Sequence, residues 1–159
     1  MRAADAVWVT SLLLTVAACA VEVPKKEPPP GCENRGETLA LGMSKQSPDG
    51  LMTSTLVALD PLPPLQGPNH WTVDVRTSSG APVVDVDEND AEVIANIYMA
   101  DHDHNLRKRA TMTEPGLFEI PEFLITMNGY WEITVVVHQD QDPNDDADVP
   151  MMFGFCVEN

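Results

Sequence analysis

Residues 130–138 read Tyr-Trp-Glu-Ile-Thr-Val-Val-Val-His, and this stretch decides the fold. Trp131, Ile133, Val135 and Val137 fall on one face, with Glu132, Thr134 and His138 on the other. That period of two belongs to a strand with one face in a core and one in water. Working outward, residues 70–76 repeat the pattern, with Trp71, Val73 and Val75 against Thr72, Asp74 and Arg76. Further apolar-rich segments lie at 37–43, 51–59, 92–99, 117–120, 123–127 and 151–157. Between them stand turn residues: Ser47-Pro48-Asp49-Gly50, the prolines from Pro61 to Pro68, Ser78-Ser79-Gly80-Ala81-Pro82, and Asn128-Gly129 as a tight-turn signal. Pro121 separates 117–120 from 123–127, which suits an edge or a bend. No segment keeps a helical period and no internal repeat is present. The pattern predicts an all-β fold, an antiparallel immunoglobulin-like β-sandwich of about seven strands.

The start of the chain has a different character. Arg2 precedes an apolar run through residues 6–16, and Val16-Ala17-Ala18-Cys19 closes it. A basic start, a core too short for a bilayer and small residues at a cut site predict a signal peptide at 1–18. Cysteine after two alanines resembles the lipobox of bacterial lipoproteins, which implies lipidation of Cys19. Residues 19–36 then form a tether, with Pro28, Pro29 and Pro30 favouring polyproline II. The domain is expected at 37–159. The expected location is the cell envelope, exported and lipid-anchored, with the outer membrane favoured because Ala20 gives no inner-membrane signal. The alternative is an ordinary secreted protein cut near the same place.

With 9 basic and 25 acidic residues the formal net charge is −16. Phosphate backbones are repelled by such a surface, so nucleic acid is excluded as a partner. Anionic lipid is repelled too, so contact with the membrane falls to the N-terminal lipid. An envelope protein remains a candidate partner. Of the three cysteines, lipidation of Cys19 leaves Cys32 and Cys156, near opposite ends of the domain. Outside the cytoplasm they are expected to form a disulfide, with two free thiols as the alternative.

No serine elbow, zinc-protease helix or phosphate-binding glycine loop is present, so the chain reads as a binding module and not an enzyme. The cluster that could carry chemistry is Met99-Ala100-Asp101-His102-Asp103-His104. Imidazole suits copper, zinc and nickel, and thioether sulfur selects Cu(I). In an extended backbone a spacing of two sets both imidazoles on one side. Solvated histidines in an acidic turn are the plain alternative. His138 is expected to face solvent, and His70 to cap a turn. Two acidic stretches, 85–90 and 140–148, invite a calcium reading, yet neither has the sixth-position glycine and closing glutamate of an EF-hand. Arg107-Lys108-Arg109 reads as a solvated hairpin arm.

Five landmarks in order resemble the YtkA-like family of small extracytoplasmic sandwich domains. They are Gly67-Pro68-Asn69-His70-Trp71, Gly80-Ala81-Pro82-Val83, the Met99 to His104 cluster, Glu114-Pro115-Gly116-Leu117-Phe118, and Met127-Asn128-Gly129-Tyr130-Trp131. The family commonly has proline after the methionine and glycine between the histidines, where this chain has Ala100 and Asp103. Some members occur beside copper-handling proteins, so the resemblance implies Met99, His102, His104 and Met127 as a metal set with copper as ligand. The alternative is a metal-free protein-interaction or structural lipoprotein, in which Met99 and Met127 simply fill the core.

Overall fold

The alternating segments form two facing sheets. The computed structural model describes residues 27–29, 31–84, 92–138 and 148–158. Its strands are β1 (Ser44–Gln46), β2 (Met52–Asp60), β3 (Gly67–Thr77), β4 (Glu92–Met99), β5 (His104–Arg109), β6 (Thr111–Glu114), β7 (Leu117–Ile125), β8 (Gly129–His138) and β9 (Val149–Val157). One sheet has the order β1-β2-β3-β7-β6, the other β5-β4-β8-β9, and every ladder is antiparallel. The architecture is the expected β-sandwich, with nine strands among the described residues rather than about seven. Three edge strands, β1, β5 and β6, were not among the expected segments, being short or nearly all polar, while 117–120 and 123–127 merge into one strand and 37–43 is not a strand. No helix among the described residues is long and apolar enough to cross a membrane.

The core lies between the inner faces. Trp71, Val73, Val75, Phe118, Ile120 and Phe123 come from the first sheet, and Ile97, Trp131, Ile133, Val135, Phe153 and Phe155 from the second. Each such fully buried aliphatic or phenyl side chain contributes about 1.5–3 kcal/mol relative to exposure. Trp71 joins the layers, its ring 5.9 Å from Phe123 in an edge contact and 5.4 Å from Phe155 across the sandwich.

Two bulges correct the simple alternation. In β2 the pairing passes from Leu56↔Val73 to Ala58↔Thr72, so Val57 is extra and exposed, and Leu59 turns inward. Residues 117–120 and 123–127, expected as two segments split at Pro121, are mostly one strand, β7. Its pairing with β3 slips between Trp71↔Ile120 and Asn69↔Phe123, so Pro121 sits exposed where the ladder is already broken. Asn128-Gly129 is not a hairpin turn: β7 and β8 belong to different sheets, and the segment carries the chain from one layer to the other.

Residues 37–43 were expected as a strand and are not one. Glu37 makes one isolated bridge to Phe155, and the chain then turns, Met43 N–H donating to Ala40 O at 3.1 Å. The segment before it is a strap across the outer face of the four-stranded sheet. Cys32 and Cys156 are disulfide-bonded with Cα atoms 6.0 Å apart, joining residues 124 apart in sequence. Arg35 stands 5.7 Å from the Tyr130 ring centroid, and Glu37 N–H donates to Gly154 O at 2.8 Å. Glu37 also pairs with Lys45 of β1, tying the strap to the other sheet. The expected signal peptide at 1–18, Cys19 and the acidic stretch at 85–90 lie outside the described residues, as does 140–148 apart from Asp148.

Candidate metal centre

Met99 is the last residue of β4 and His104 the first of β5, and the two are register partners. Alternation along β4 turns Val93, Ala95, Ile97 and Met99 inward, so His104 starts β5 on that inner side, one pair beyond Asn105↔Tyr98. Directly opposed residues on one face bring their side chains together. Met99 is fully buried, while His104 is exposed because β5 is the edge strand. The link between them is a 3-10 turn, Ala100–His102, followed by Asp103 at φ 51°. This left-handed residue stands where the family pattern named above carries glycine, which adopts that conformation without steric cost. The backbone is therefore not extended from 102 to 104. The expectation that both imidazoles share one side by a spacing of two does not apply, and His102 sits exposed on the turn.

Met127 lies in the crossover between β7 and β8, half-buried and packed against the core. Trp131 holds it, the indole Nε1–H donating to Met127 O at 3.1 Å. Because Tyr98 pairs with Glu132, the end of β4 and the start of β8 coincide, and Met99, His104 and Met127 share one end of the sandwich. The same end holds two buried side-chain oxygens without partners, Asn69 Oδ1 and Asn128 Oδ1. Asn69 spends its amide on Leu65 O at 2.8 Å and Gly67 O at 3.0 Å. Sequence reasoning did not single out Asn69, Asn128 or Trp131 for this end. The one signal was Trp131 four residues after Met127.

The donors gathered here are soft or borderline: thioether sulfur and imidazole. Among the described residues no three His, Cys, Asp or Glu side chains are grouped to hold an ion. Thioether and neutral imidazole are the polarisable donor types that soft ions such as Cu(I) accept. Asp101 lies near the strap, lining a small depression with Gly31, Glu33, Asn34 and Arg35.

The other histidines have partners elsewhere. His70 does not cap a turn; it lies within β3 with Nε2 2.7 Å from Glu119. His138 is half-buried with Nδ1 2.7 Å from Asp148. Near the strap, the Tyr130 phenol is raised above the ordinary tyrosine value. Burial is the main cause, followed by the charge and hydrogen bond of Glu132, against the opposing Arg35 cation.

The YtkA-like family model matches residues 52–136, more than half of the chain. The chain belongs to the YtkA-like family. No curated protein and no solved structure matches it. The matched span contains all four residues of the metal set and both strands that oppose Met99 and His104. The strap, the disulfide and β9 lie outside the span that the YtkA-like family model covers.

Proposed function

We propose that this YtkA-like sandwich is a lipid-anchored binding module of the cell envelope whose ligand is copper(I). The observation that carries the reading is the Met99–His104 pair at the end of β4 and β5, with Met127 held at the same end by Trp131. Thioethers from Met99 and Met127 with the His104 imidazole make a neutral, soft donor set, and His102 on the adjoining turn is the further candidate ligand. Imidazole must be neutral to bind, so affinity falls on acidification.

The test is titration of the full-length protein with Cu(I), Cu(II) and Zn(II) against a competing chelator. Wild type should prefer Cu(I), and the double change His102→Ala with His104→Ala should weaken it at least roughly tenfold. His104→Ala alone should account for most of that loss. The second reading, a metal-free interaction module, is favoured by the full burial of Met99 in the core. Equal Cu(I) affinity in wild type and double variant would decide for it.

The envelope location rests on the lipobox-like Val16-Ala17-Ala18-Cys19. Cys19→Ser should abolish lipid labelling and release the protein from membranes. Unchanged fractionation of the variant would count against the anchor.

A further inference from the structure

The outer faces of the two sheets are treated differently. On the five-stranded sheet three pairs of polar side chains meet: Ser44 with Thr55 at 2.8 Å, His70 with Glu119 at 2.7 Å, and Arg76 with Asp74 at 2.7 Å. Among the described residues pairing on the four-stranded sheet is confined to the ends, with Arg109–Glu92 and His138–Asp148 at one and Arg35 against the Tyr130 ring at the other. Between them lies a shallow depression of about 540 Å³ lined by Asn96, Tyr98, Asn105, Arg107, Glu132 and Thr134. The register arranges these six in two rows across three strands. Asn105, Tyr98 and Glu132 form one row, and Arg107, Asn96 and Thr134 the other.

Among the described residues the side chains of Asn96, Tyr98, Asn105, Arg107 and Thr134 make no hydrogen bond or ion pair. Asparagine is disfavoured in strands, yet two stand here, one on a central strand. Neither gains anything from its neighbours. Among the described residues Arg107 has no carboxylate partner.

We propose that this face is a binding platform for a neutral pyranose oligosaccharide. Each amide offers two N–H donors and an oxygen acceptor, Thr134 both donates and accepts, Arg107 donates, and Glu132 accepts. Neighbouring sugar hydroxyls present that same mixture of donors and acceptors. The Tyr98 ring has a weakly negative face suited to the C–H side of a pyranose. Met152, 50% exposed and paired with Thr134, adds an apolar rim. One cation and one anion line the depression, so its local charge matches an uncharged ligand. A phosphate or acidic peptide would meet Glu132 and the negative surface around it. The face is the opposite side of β4 from Met99, so the proposal stands apart from the metal reading.

The experiment is calorimetric titration of the full-length protein with chitotriose and cellotriose. At least one should bind saturably. Asn96→Ala should weaken it roughly tenfold, the scale of one lost hydrogen bond. Arg107→Ala, at an exposed edge position that leaves folding intact, should weaken it as well. His70→Ala on the paired face should leave binding unchanged. Failure of both sugars to bind, or binding indifferent to both Asn96→Ala and Arg107→Ala, would overturn the proposal. So would occupation of the face by a poly-aspartate peptide or a second copy of the chain.

Discussion

Tyr130 lies across Gly154, the residue diagonal to it on the neighbouring strand. A methyl group built on Gly154 would collide with the phenol oxygen and stand 3.0 Å from Cζ and 3.2 Å from Cε2. Above the ring is Arg35 of the strap, so the ring has little room to swing aside. Gly154→Ala should therefore destabilise the fold by about 1–3 kcal/mol, the usual cost of overpacking. Chemical denaturation with Gly154→Ala in a Tyr130→Ala background checks the cause. If the collision is the reason, the second change removes most of the penalty of the first.

The disulfide closes the strap onto β9. Gly36, at φ 86°, leaves room for it, since a Cβ there would sit 2.6 Å from Cys156 Sγ. Cys32→Ser with Cys156→Ser should cost about 2–5 kcal/mol in non-reducing denaturation. Mass spectrometry of native protein without reductant should find the two cysteines joined, and alkylation of both would contradict the structure.

At alkaline pH the raised Tyr130 phenol becomes a stability term. Its folded value lies above its unfolded one, so its contribution is complete below the ordinary tyrosine range. It is lost as pH rises through the folded value. Denaturation midpoints should fall across that window in wild type and less steeply in Tyr130→Phe. Parallel slopes would refute the assignment.

Asp103 is the one non-glycine residue at positive φ among the described residues. Asp103→Gly should be tolerated within about 1 kcal/mol, because glycine adopts this conformation freely. A β-branched replacement, Asp103→Val, should cost about 1–2 kcal/mol. Thermal melts of the pair test whether the turn needs the left-handed conformation.

The inward faces of β3 and β8 were legible because Trp71, Val73, Val75 and Trp131, Ile133, Val135, Val137 alternate without interruption. The bulges at Val57 and Pro121 were not. An added residue reverses which positions face inward, and nothing local marks it until a partner strand is in place. Of the metal set, the residue types and their nearness in sequence were visible at Met99, His102 and His104. Their facing was not, since a 3-10 turn and a left-handed aspartate intervene.

By itself the sequence determined the class of this protein: a charged, turn-punctuated chain of short alternating strands. Period-two burial is a local property, written residue by residue, whereas the bond between Cys32 and Cys156 was an expectation beside the alternative of two free thiols, and the structure joins them. The tertiary structure alone decided which sheet each strand joined and that Asn128-Gly129 crosses between layers. It also opposed Met99 to His104 and, among the described residues, left Asn96, Tyr98 and Arg107 without side-chain partners on the outer face. These depend on register between segments far apart in sequence, and register is set by the sum of packing across the core.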